Sequence, residues 1–122
     1  MNTTTDHLSR IDAAIRDADA QFRQAVALPH GSDLEHAVRA VALARACARR
    51  VAWWGVLVRV LTFEHRGHSV HIRSAVLAEC SERNDVRFWR EASADWLARH
   101  EQYSTSDAAG ALSNWADLGV TA

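Results

Sequence analysis

The run Glu64-His65-Arg66-Gly67-His68-Ser69-Val70-His71 puts three imidazoles and a carboxylate into eight consecutive residues. Neutral imidazoles that close together can share a zinc or similar divalent ion, with Glu64 as a further ligand. The spacing fits no helical metal scheme. No His-Glu-x-x-His occurs, and no Glu-x-x-His, of which a di-iron bundle needs two. A polar connection between two helices, with exposed histidines, explains the cluster without an ion. No metal and no other cofactor is expected; His65, His68 and His71 are where one would bind.

The same region carries an arginine–histidine pair. Arg66…His71, Arg59…His65 and Arg23…His30 each place a histidine after four to six intervening residues. That pattern resembles the Arg-x4–6-His signature of HEPN-type ribonucleases, which are small helical bundles. The resemblance would make His71 a general base and Arg66 a phosphate ligand. Fourteen arginines and seven histidines produce about as many matches at random, so this ribonuclease reading ranks third. Nothing supports nucleophilic catalysis. There is no Gly-x-Ser-x-Gly, no phosphate-cradling glycine loop, and no histidine close to either cysteine.

The basic segment is more distinctive. Between Glu35 and Glu64 there are five arginines and no acid. On a helical wheel Arg39, Arg45, Arg49, Arg50 and Trp53 share about one third of the circumference. Arg49/Trp53 and Arg50/Trp54 are i,i+4 pairs, spaced for cation–π contact. Guanidinium beside indole can anchor a protein interface, or hold phosphates and stack on unpaired bases. Trp53 and Trp54 must diverge by about 100°, so only one can face a bundle centre squarely; the other is a candidate anchor. A weaker basic stripe, Arg83, Arg87 and Arg90, runs beside Phe88 and Trp89. The competing explanation for both stripes is pairing with acids elsewhere in the fold.

Composition narrows the field. The 122 residues suit one domain, 48% apolar and 24% charged, with a formal net charge of −1. A near-neutral chain has no global field for nucleic acid or anionic membrane. All cationic side chains are arginine and none is lysine, the codon bias expected of a GC-rich, bacterial genome. Cys47 and Cys80 match no metal or redox spacing. The first residues lack a signal peptide's basic and apolar regions, and Val51–Phe63 is too short and, with Arg59, too charged to span a bilayer. A cytoplasmic compartment is expected.

The positioning elements are helices. Leu8, Ile11, Ile15, Ala18, Phe22 and Ala25 recur at threes and fours, giving a first helix stopped by Pro29-His30-Gly31. Ser32-Asp33-Leu34-Glu35 is a capping box. The helical pattern after it reaches about His65, roughly 50 Å of helix, longer than a compact domain of this size. Such a helix bends near Gly55, its one interior glycine, or projects toward a partner. Its second half, Val51 to Leu61, is apolar nearly all round, as at a bundle centre or an oligomer interface. Ser69 is a candidate N-cap for a third helix with Ile72, Val76, Leu77 and Cys80 inward. Asn84-Asp85 can cap a fourth carrying Val86, Trp89, Trp96 and Leu97. Ser104-Thr105-Ser106 can end that helix and cap a short last one with Leu112, Trp115 and Leu118.

The expectation is therefore an all-α, four- to five-helix bundle with a long central second helix, in one domain over 1–122. Its expected role is non-enzymatic interaction, by self-association or by docking a protein partner through the second helix. The alternative is a nucleic-acid-binding accessory subunit using Arg45, Arg49, Arg50 and Trp53.

Overall fold

The computed structural model describes the backbone of residues 3–64 and 68–117 and the side chains of residues 6–64 and 68–103. His65, Arg66, Gly67 and the residues after Asp117 lie outside the description, as do the side chains of Ser104–Ser106, Leu112 and Trp115. Three helices are present: α1 (Thr3–Val26), α2 (Asp33–Phe63) and α3 (Ser69–Asp117), with no strand among the described residues.

Three of the expected local signals operate. The α1 stripe turns inward, with Ile11, Ala18 and Ala25 buried. The chain leaves helix at Val26, ahead of Pro29, whose ring would clash with a continuing turn. The hydroxyl of Ser32 accepts a hydrogen bond from the Glu35 N–H at 3.1 Å and starts α2. At α3 the cap moves by one residue. The Val70 N–H donates to Nδ1 of His68 at 3.1 Å, and Ser69 is already helical.

The expected fourth and fifth helices are continuous with the third. α3 runs 49 residues through Asn84-Asp85 and through Ser104-Thr105-Ser106 without a break. Capping residues stop a helix only where its hydrogen-bond ladder cannot continue. Their propensity penalty is a few tenths of a kcal/mol each, and no proline or glycine stands between Ser69 and Ala109. Asn84 and Asp85 simply face solvent. α2 is likewise unbroken through Gly55.

α2 is the central element. α1 packs along one side of it and α3 along the other, and α1 and α3 make no backbone approach to each other. Both neighbours run antiparallel to it. His7 pairs with Glu64 and Asp19 with Arg50 on the α1 side. Arg50 pairs with Glu82, and Ser93 donates to the Ala37 carbonyl at 3.3 Å, on the α3 side. α3 outruns its neighbour. Trp96 stacks on His36 in the first turn of α2, and α3 continues from there to Asp117, a further ~30 Å at 1.5 Å per residue.

The core is small. Alanines make up most of it (Ala18, Ala25, Ala37, Ala40, Ala44, Ala46 and Ala75), and Leu43 and Cys47 are the largest fully buried side chains. Alanine lets backbones approach closely but removes little apolar area per residue from water. All the buried α2 residues fall between Ala37 and Cys47. The apolar second half contributes none.

On α3 the inward stripe is Ile72, Ala75, Glu79, Glu82, Val86, Trp89, Ser93, Trp96 and His100, each buried or half-buried. The expected inward positions Val76, Leu77, Cys80 and Leu97 are exposed, Leu77 by 64%. Of the residues expected inward, Ile72, Val86, Trp89 and Trp96 are so placed, while the inner stripe also takes in Glu79 and Glu82, the latter opposite Arg50 of α2.

Candidate functional site

Arg50 is drawn inward. Its guanidinium pairs with Asp19 of α1 at 2.8 Å and with Glu82 of α3 at 3.6 Å, and lies 4.4 Å above the Phe22 ring. One residue of α2 therefore links two helices whose backbones do not approach each other among the described residues. Beside it, Cys47, Glu82 and Asp85 bring a thiol and two carboxylates within 4.8 Å of one another, a grouping that spacing in the sequence did not reveal. Burial pushes the Cys47 thiol up to about 11, helped by the negative charge of Glu82. Burial also raises Glu82, and Asp85 adds to this while Arg50 opposes it. A protonated thiol and a carboxylate already facing a guanidinium make this a polar knot at the edge of the core, with Asp85 on its solvent side, rather than a reactive centre.

Arg39 is also committed internally. Its Nε–H donates to the Val26 carbonyl at 3.1 Å, capping the end of α1, and its guanidinium stands 5.9 Å from the Trp89 ring centre. The expected Arg49/Trp53 and Arg50/Trp54 cation–π contacts do not form; Arg50 takes Phe22 instead. Trp53 and Trp54 are both half-buried. Arg83 pairs with Glu79 at 2.6 Å.

Arg45, Arg49, Arg59, Arg87 and Arg90 have no carboxylate within 4.0 Å among the described residues. Antiparallel packing gathers them. Arg45, Arg59, Arg83, Arg87 and Arg90 border three successive depressions between α2 and α3, which share Ala48 and Arg90, then Val51 and Arg83, and together form a groove. Its floor includes Val41, Ala44, Ala48, Val51, Gly55 and Val56. Arg45 and Arg49 also border the neighbouring depression against Gln21 of α1 and Leu28 just beyond it. The two basic stripes, 38 positions apart from Arg45 to Arg83, are thus the two rims of one groove. From Val41 to Arg59 it measures ~27 Å at 1.5 Å per residue. Glu79 and Glu91 are the acids lining it, and Glu79 is engaged with Arg83.

Along the same side of α2 as Val41 and Val56, Leu34 and Val38 are also exposed, and Phe63 at its end is 73% exposed. An apolar helical face of this length is normally covered. His68 and His71, in contrast, are exposed with their rings edge to face at 6.2 Å. Their proposed companions His65 and Arg66 lie outside the described residues. Among the described residues no helix is long and apolar enough to cross a membrane. Compared with known proteins, the chain matches no family model, no curated protein and no solved structure.

Proposed function

We propose that the chain is a non-enzymatic helical interaction module, and that it docks an acidic, amphipathic helical segment of a protein along the α2–α3 groove. The observation that carries this reading is an apolar floor flanked by arginines of which Arg45, Arg59, Arg87 and Arg90 have no acidic partner among the described residues. Helix-in-groove recognition uses that combination: apolar anchors at i, i+3, i+4 and i+7 fill the floor, and flanking charges set orientation. The same arginines argue against two such grooves meeting face to face, since like charges opposed at an interface cost several kcal/mol.

Nucleic acid is the weaker fit. The face proposed for it needed Arg50 and a stacked Trp53, and Arg50 points into the interior while Trp53 has no arginine over it.

The test is a titration with a labelled synthetic helix bearing a leucine face flanked by glutamates. A lysine-flanked helix and a single-stranded oligonucleotide serve as comparators. Binding of the glutamate helix should weaken with added salt and fall about tenfold or more in R87E/R90E. Indifference to that double substitution, or preference for the oligonucleotide, would overturn the reading.

A further inference from the structure

The docked segment can be identified from the charge layout of this chain. We propose that the groove receives the C-terminal part of α3 from a second copy, so that two copies clasp each other reciprocally. The inference rests on the docking role proposed above and names its occupant.

Charge is the first argument. From Glu101 onward the chain has three acids, Glu101, Asp107 and Asp117, and no arginine, lysine or histidine. The groove has the opposite balance, with Arg45, Arg59, Arg87 and Arg90 along it and no carboxylate within 4.0 Å of them among the described residues. Pattern is the second. Ala108, Ala111, Leu112 and Trp115 recur at threes and fours within α3, the spacing a groove-filling helix requires. An interaction helix in need of acid and apolar residues is present in the chain itself.

Geometry then decides between the same copy and another. α3 is one continuous helix, and it passes the start of α2 near Trp96 before reaching these residues. Asp107 lies 17 residues beyond Arg90, ~26 Å away along the axis. A continuous helix cannot turn back on itself, so the segment reaches a groove only in a second molecule.

A twofold arrangement satisfies both copies together. Two α3 helices laid antiparallel about an axis at Leu97 bring Asp107 of each level with Arg87 of the other, about one turn from Arg90. Leu97 is itself 43% exposed, so an apolar side chain stands at the axis. The arrangement is isologous and closes at a dimer. It also avoids the arginine-against-arginine contact that a groove-to-groove dimer would create.

Sedimentation velocity of the full chain over a wide concentration range tests this. Wild type should show a concentration-dependent monomer–dimer equilibrium. R87E/R90E, which reverses the groove, and D107R/D117R, which reverses the helix end, should each raise the dimer dissociation constant about tenfold or more. Mixing the two variants should restore a 1:1 dimer, and a chain carrying all four substitutions should dimerise again. Far-UV circular dichroism guards against a variant that fails to fold.

A monomer at every concentration would overturn the inference, as would a dimer indifferent to D107R/D117R or a mixture that fails to associate. The synthetic glutamate helix separates this failure from failure of the docking role. If that helix binds in an Arg87- and Arg90-dependent way while the chain stays monomeric, the groove docks another protein and only the self-clasp falls. If neither associates, both readings fall.

Discussion

Replacing Arg50 with alanine should destabilise the fold by about 2–3 kcal/mol at neutral pH. Breaking a fully buried ion pair costs about 3–5 kcal/mol, and losing an exposed one costs about 0–1 kcal/mol. Arg50 falls between these limits. Its side chain is 16% exposed, with a short but more open contact to Asp19 (2.8 Å, 39% exposed) and a longer, sheltered one to Glu82 (3.6 Å, 18% exposed). Arg50→Met retains much of the packing over Phe22 and should recover part of the loss, separating stem from charge. For a chain of this length the alanine deficit corresponds to roughly 6–12 °C in Tm.

The pH dependence gives a sharper test. Burial raises Glu82 above the ordinary glutamate value of 4.5, and Arg50 is the charge that opposes the rise. A carboxyl that holds its proton more tightly when folded makes stability fall as pH rises through its folded pKa. Without Arg50 that fall is larger and extends to higher pH, since only the folded pKa rises. The deficit of Arg50→Ala should therefore be greatest at neutral pH and shrink as Glu82 takes up its proton toward 4.5. Urea unfolding followed by far-UV circular dichroism, at one fixed protein concentration, measures it. In a Glu82→Gln background the Arg50→Ala deficit should drop to about half, because the orphaned carboxylate is gone. A neutral-pH deficit under about 0.5 kcal/mol, or one unchanged by Glu82→Gln, would refute the account of Arg50 as an interior counter-charge.

The two cysteines should differ in reactivity. Cys47 is 0% exposed with its thiol pushed up to about 11, while Cys80 faces solvent; a chromogenic disulfide reagent should titrate one thiol in the native protein and both in denaturant, and rapid native reaction of both would contradict the placement of Cys47. Gly55→Ala should raise stability by about 0.5–1 kcal/mol. Its Cβ would sit 3.5 Å from Glu79 Oε1, an ordinary contact, and α2 is helical on both sides; a fall in Tm would show that this glycine serves a bend.

The sequence by itself determined the features that short stretches control. The apolar stripe of α1, its stop ahead of Pro29 and the Ser32 cap of α2 each depend on side chains within a turn of one another, and the structure shows all three. The all-helical class follows from the same periodicity. Where α3 ends was not decided locally, because Asn84-Asp85 and Ser104–Ser106 permit a helix start without forcing one. Which apolar residues of α3 turn inward was settled in space: Ile72, Val86, Trp89 and Trp96 share the inner stripe with Glu82 opposite Arg50, while Val76, Leu77 and Leu97 are turned outward. Only tertiary packing sorted the arginines. Two guanidiniums of one helical face, Arg39 and Arg50, found partners inside the fold, while Arg45 and Arg49 have no acidic partner among the described residues. The rims of the groove, Arg45 and Arg59 facing Arg87 and Arg90, come from distant stretches of chain. Charge pairing acts through space, and distance in space is what the order of residues leaves open.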